Sequence, residues 1–128
     1  MAFLLDTHTF LWFADGNVLL PDPITRTILD PEKTCFISVA SFWEITIKIQ
    51  LGKLELKFSM EDLYRFAERN EIEVIPINEH HLLALLKLEY INKDPFDRMI
   101  VAQAISENLT LLSADETLKG YPVSILWN

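Results

Sequence analysis

A chain of 128 residues, half of them hydrophobic, can bury a core without disulfides or a structural metal, and one domain spanning residues 1–128 is the expected organisation. Its 11 basic and 19 acidic residues give a formal net charge of −8, which excludes a broadly basic surface that holds a phosphate backbone by charge alone. One cysteine, Cys35, excludes an internal disulfide. The start Met1-Ala2-Phe3-Leu4-Leu5-Asp6 has no basic leader, and charged residues interrupt every apolar run, so a cytoplasmic protein without membrane contact is expected.

In chain order, the first short β-rich run is Ala2 to Leu5, followed by a helical stretch carrying Phe10, Trp12 and Phe13. Pro23 sits near the start of a second helix, and Cys35 to Ser38 reads as the second strand. The segment Val39 to Leu51 is apolar on two sides: Phe42, Ile45 and Ile49 share one face, Trp43 and Ile47 another. Such a helix packs on a sheet under a neighbouring helix, or its outer side, with Phe10, Trp12 and Phe13, is completed by another chain.

Gly52 ends that helix, and Ser59 with Asp62 three residues on marks the start of the next. Val74 to Ile77 is the third strand candidate, and Asn78 precedes a further apolar-periodic run. His80 and His81, adjacent within it, point about 100° apart on a helix and make a poor chelating pair, so both are read as surface or helix-face residues. Asp94-Pro95 opens the helix of Met99, Ile100 and Ala102, and the last strands are Leu109 to Ser113 and Val123 to Leu126. This alternation, with roughly six or seven helices, implies a three-layer α/β/α fold on a mainly parallel central sheet of about five strands.

Sites in parallel α/β sheets form beyond the carboxyl ends of the strands, and acids stand there. Asp6 follows the first strand and Asp115 the fourth, while Glu44 lies about two turns into the helix after Cys35 to Ser38 and Asp97 lies in the first turn after Pro95. Each has a modest alternative. Asp6 and Asp115 could cap helices, Asp97 could complete a capping box with Asp94, and Glu44 could simply pair with Lys48. Together, four carboxylates at one pocket repel each other unless one or two hard cations sit among them. An all-oxygen set suits Mg²⁺ or Mn²⁺ and not zinc. Bound cations would also answer the unfavourable net charge. His8, near Asp6, reads as an orienting or packing group.

Leu4-Leu5-Asp6-Thr7-His8, Ile37-Ser38 with Ser41-Phe42-Trp43-Glu44-Ile45, Lys48 with Gly52-Lys53-Leu54, Asp94-Pro95-Phe96-Asp97-Arg98 and Ser113-Ala114-Asp115 together resemble the PIN-domain toxins of VapC type. The resemblance runs over nearly the whole chain. It implies that Asp6, Glu44, Asp97 and Asp115 are the catalytic, metal-binding acids, that Thr7 and Ser113 are their hydroxyl neighbours, and that Asp94 and Arg98 support the site or the fold around it. Where related sequences often carry histidine before the Asp-Pro-Phe-Asp run, this chain has Ile91-Asn92-Lys93. The implied activity is that of an endoribonuclease, the toxin of a toxin–antitoxin pair, dimeric and inhibited by a cognate antitoxin. Hydrolysis by water activated at the cations would leave 5′-phosphate and 3′-hydroxyl ends.

Two other classes compete: a phospho-acceptor receiver-like signalling domain, and a catalytically silent interaction domain whose acids only cap helices. A receiver needs an acceptor aspartate after its third strand, where this chain has Pro76-Ile77-Asn78. Lys53, Lys57, Lys93 and Arg98 are the candidate phosphate contacts, each of which could equally be a solvated surface charge.

Overall fold

The first strand, β1 (Ala2–Leu5), offers water almost nothing polar, and in the computed structural model of residues 1–128 it takes the centre of the sheet. Phe3 and Leu5 point to one face and Leu4 to the other, each buried, as the two-residue period of a strand covered on both sides requires. After β1 come α1 (Thr7–Asp15), α2 (Asp22–Leu29), β2 (Thr34–Ser38), α3 (Val39–Gln50), α4 (Met60–Arg69) and β3 (Ile72–Ile75). Then follow α5 (Glu79–Leu86), α6 (Pro95–Ser106), β4 (Thr110–Leu112), a 3₁₀ turn at Glu116–Gly120 and β5 (Ile125–Leu126). All strand pairs are parallel, in the order β3-β2-β1-β4-β5.

Two cores lie on the two sheet faces. Phe10, Ile24, Ile28, Phe42, Ile45, Leu63 and Ala67 bring α1 to α4 onto one face, and Ile100, Val101 and Ala104 of α6, with Leu118 and Tyr121, cover the other. The three-layer α/β/α architecture is therefore as the alternation implied. The strand order differs from the 2-1-3-4-5 order of receiver-type sheets, which removes the signalling alternative.

Several boundaries moved. The third strand begins at Ile72, not Val74, because its register pairs Cys35 with Ile72 and Ser38 with Ile75, and Pro76, lacking an N–H, cannot extend the ladder. Glu73 alternates outward on this edge strand, which is why the run looked too polar to start so early. The fifth strand keeps only Ile125 and Leu126, since the Val123 amide is spent on the Tyr121 carbonyl in a turn. Gly52 does follow the third helix, at a left-handed φ of 69°. The Ser59–Asp62 box and the Asn78 cap form as expected.

His81 departs from its reading as a surface residue. It is buried: its Nδ1 accepts from the Asn78 amide at 3.1 Å and its Nε2 lies 2.9 Å from Glu107 Oε2. The capping contact makes Nδ1 the acceptor, so Nε2–H donates to Glu107 and staples α5 to α6. His80 is exposed. His81→Leu is expected to lower the unfolding free energy by about 1–3 kcal/mol, because the carboxylate and the cap lose their partner. Urea unfolding checks this, and an unchanged midpoint would refute the staple.

Candidate active site

In a 3-2-1-4-5 parallel sheet the chain leaves β1 toward β2 on one side and later returns to lay β4 on the other. The crevice beyond the carboxyl ends of these two neighbours is where a site forms. Leu5 stands beside Leu112 in the register, so the residues after each strand emerge side by side. Asp6 comes from one and Ser113-Ala114-Asp115 from the other.

Asp6 caps α1, its Oδ1 accepting from the Thr9 amide at 2.8 Å. The junction is tied to β4 by the Asp6 amide on the Leu112 carbonyl at 3.1 Å and by the Thr9 hydroxyl on the same oxygen at 2.9 Å. Buried Ser113 lies between the two acids: its hydroxyl supports Asp6, and its oxygen accepts from the Asp115 amide at 3.0 Å. Asp115 in turn caps the 3₁₀ turn through Thr117 N at 2.9 Å and Thr117 Oγ1 at 2.7 Å.

Glu44 is 3 % exposed, an acid set into the apolar interior of α3. Thr7 donates to its Oε1 at 2.8 Å while the Ser41 oxygen lies 2.9 Å from the Thr7 hydroxyl, and Lys48 Nζ is 2.8 Å from Oε2. Both readings of Glu44 thus describe the same residue: it makes the i,i+4 ion pair, and it is buried at the crevice. Asp97 occupies the first turn of α6, where Asp94 alone is the cap, accepting from Phe96 N at 2.8 Å and Asp97 N at 3.2 Å. The capping box with Asp97, the alternative to a site role, does not form, and the Asp97 carboxylate instead has Asn92 Nδ2 at 3.4 Å.

Arg98 faces elsewhere. Its guanidinium donates to the Glu89 carbonyl at 2.8 Å and the Tyr121 hydroxyl at 3.1 Å, and it lies 4.4 Å from the Tyr90 ring centre. It therefore holds the loop before α6, and reaches the site only through that loop: the same Tyr121 oxygen accepts from the Asn92 amide at 2.9 Å. Asn92 and Tyr121 were not legible as site supports, because neither lies in a periodic segment.

The electrostatics single out Asp97. Burial, and then the charges of Asp94, Glu44, Asp115 and Asp6, push its carboxyl up to about 7. Asp6 is also raised, by burial, against the opposing bonds from Ser113 and Thr9. Lys48 is held above its ordinary value mainly by its bond to Glu44. Asp6, Glu44 and Asp115 are thus each within electrostatic reach of Asp97, yet no three His, Cys, Asp or Glu side chains stand close enough to share one ion as placed. Like charges repel, so each acid has turned to a local donor. The donor set is carboxylate and hydroxyl oxygen, with Lys48 the charge paired to Glu44; this chemistry fits a hard divalent cation and not zinc.

A depression of about 310 Å³ lies at this edge, lined by Asp6, His8, Thr9, Trp12, Ala114 and Asp115. His8 is exposed on its rim. No helix of the structure is long and apolar enough to cross a membrane.

Residues 3–123 match the family model described as PIN domain. Among solved structures, VapBC2 from Rickettsia felis bound to a promoter DNA fragment is similar over 100% of both chains, with TM-score 0.75 and 20% identity. VapBC-1 from nontypeable Haemophilus influenzae is similar over 98% of this chain and 97% of that one, with TM-score 0.67 and 19% identity. VapBC-5 from Mycobacterium tuberculosis, a member of a family of toxin–antitoxin systems, is similar over 99% and 98%, with TM-score 0.60 and 16% identity. At these identities the likeness is one of fold. A search of curated proteins finds no match.

Proposed function

The chain belongs to the PIN-domain family, and from that premise we propose that it is a Mg²⁺- or Mn²⁺-dependent endoribonuclease, the toxin of a type II toxin–antitoxin pair. The observation that carries this reading is the gathering of Asp6, Asp115, buried Glu44 and Asp97 about one crevice at the carboxyl ends of β1 and β4, near enough that the other three raise the Asp97 carboxyl. A helix-capping role asks for no such convergence, and it leaves the catalytically silent alternative without an account of why Glu44 is buried at the same crevice.

Asp6 and Asp97 would hold the principal ion, Asp115 would support it or a second one, and Glu44 would hold an ion or orient the attacking water. Such a cation, when bound, supplies a Lewis acid for the phosphodiester and lowers the pKa of water. The chain's own residues prepare the place. Ser113 and Thr7 fix the Asp6 and Glu44 carboxylates through their hydroxyls, Asp94 fixes the start of α6, and Asn92 faces Asp97. Because water is the nucleophile, a preference for RNA would come from shape and single-strand contacts and not from the 2′-hydroxyl as a reactant.

The toxin assignment is supported by the fold shared with the VapBC structures, one of which is described as a member of the VapBC family of toxin–antitoxin systems. An antitoxin segment bearing arginine or lysine would complement the acidic crevice. Self-association is part of the proposal: Trp43, Leu82, Leu83, Leu86, Tyr90 and Ile91 are exposed on α3, on α5 and after it, apolar side chains that a second copy would cover. The expected setting is the cytoplasm, where buried Cys35 would stay reduced.

The test is to incubate the purified protein, free of inhibitor, with structured and unstructured RNA pools in Mn²⁺ or Mg²⁺ and in EDTA. Cleavage that needs the metal and leaves 5′-phosphate ends is expected. A protein that binds no Mn²⁺ by calorimetry and cuts no RNA would return the chain to the silent interaction class.

A further inference from the structure

Of the four candidate phosphate contacts in the sequence, the fold separates two. Arg98 is buried under the loop before α6, and Lys93 is exposed on that loop and lines neither the acidic depression nor the groove of Lys53 and Lys57. Lys53 and Lys57 instead stand with Lys48 along one groove of about 390 Å³, whose walls include Trp12, Leu54 and Phe58. Residues 53 to 58 alternate: Leu54, Leu56 and Phe58 pack toward the core, which turns Lys53 and Lys57 outward. Three of the 11 basic residues of a chain of net charge −8 line this one groove, a local concentration of positive charge in which Lys48 is already paired with Glu44 at 2.8 Å. Asp15 and Glu55 offset it in part, the former 3.8 Å from Lys57.

The groove borders the acidic depression. His8 and Trp12 line both, so one wall of α1 runs from the carboxylates of Asp6 and Asp115 to the lysines. Trp12 is half-buried and leans on His8 and Trp127, with ring centres 6.1 and 6.0 Å away, which leaves it partly open to the groove. A cavity of this volume, with an aromatic wall and ammonium groups at its rim, suits one nucleotide: a base against the ring and phosphate oxygens on the lysines.

Resting on the nuclease reading, we propose that this groove binds the nucleotide next to the scissile phosphate of a single-stranded RNA segment, with Trp12 as the stacking wall and Lys53 and Lys57 as the phosphate contacts. A strand whose phosphate sits at the acids would meet its next nucleotide along the α1 wall of His8 and Trp12 that borders both cavities, where Lys53 and Lys57 offer ammonium groups to its phosphate. Duplex RNA, whose bases are stacked inward, cannot use the ring.

The test uses the full chain carrying Asp6→Asn, in EDTA, with a randomised fluorescent 12-nucleotide single-stranded RNA pool containing 4-thiouridine. Trp12→Ala and the Lys53→Ala/Lys57→Ala pair are expected each to weaken binding at least about 10-fold and to flatten its salt dependence in the lysine pair. Crosslinks should map to α1 and residues 53–58, and the Mn²⁺ affinity of these substitutions in the unmutated Asp6 background should be unchanged. Binding equal to the parent, with crosslinks on other faces, overturns the inference while leaving the nuclease reading intact, and assigns the groove to a protein segment. A parent that neither binds nor, with Asp6 restored, cuts RNA overturns both.

Discussion

Asp6→Asn is expected to reduce RNA cleavage by at least about 10²-fold and to leave the fold in place. The substitution is isosteric and keeps an N-cap oxygen for the Thr9 amide, and asparagine caps helices as well as aspartate does. What it removes is the charge. Because burial raises the Asp6 carboxyl, the metal-free protein bears a cost for ionising it that the amide does not, so the melting temperature without metal should stay level or rise. The stabilisation that Mn²⁺ confers on the parent should shrink, since an amide is a poor ligand for a hard cation. Cleavage assays and melting curves, each with and without Mn²⁺, check all three. Wild-type cleavage in Asp6→Asn would remove Asp6 from the site.

A second expected result concerns pH. The Asp97 carboxyl is raised from 3.8 to about 7 in the folded chain, so across that window the folded state holds the proton that the unfolded state has released. Stability of the metal-free protein therefore falls as pH rises from about 4 to about 7 and levels off beyond. The full shift corresponds to ~4 kcal/mol at 1.36 kcal/mol per unit, and access of water to the half-buried group reduces this to an order of 1–3 kcal/mol. Asp6, raised in the same direction, adds to the slope. Saturating Mn²⁺ or Mg²⁺ binds the ionised form and should reverse the decline near pH 7. Urea unfolding in EDTA over this pH range, for the parent and for Asp97→Asn, isolates the effect. A slope identical in the two proteins would show that Asp97 is not under this strain.

The two results together separate a cation site from a set of helix caps. A cap gains from being ionised and would lower a carboxyl's pKa, as the Ser59 contacts do for exposed Asp62. Asp97 runs the other way, and for a reason that lies in its neighbours.

Much of this was legible in the order of residues. The apolar period of β1, with Phe3 and Leu5 against Leu4, declares a strand covered on both faces, and Ser59, Asn78 and Asp94 mark helix starts by a local hydrogen bond that needs no distant partner. Asp6 and Asp115 were visible because each follows a strand end, Asp97 because it stands in the first turn after Asp94-Pro95, and Glu44 because it is an acid within an apolar helix. Other features were not. His81 reads as a polar residue on a helix face until Glu107, 26 residues on, closes over it. The β3 start depends on pairing with β2, and the alternation that puts Glu73 outward hid it.

By itself, then, the sequence determined most elements, the parallel α/β class and the candidate acids after strands or on the helices that follow them, because these follow from periods and caps acting over a few residues. Tertiary structure alone decided that β1 and β4 lie side by side so that Asp6 and Asp115 share a crevice, that Glu44 is buried there against Thr7 and Lys48, that Arg98 turns away to Glu89 and Tyr121, and that Lys53 and Lys57 share a groove with Trp12. Each of these is a contact between segments far apart in the chain, set by strand order and packing, on which local pattern carries no information.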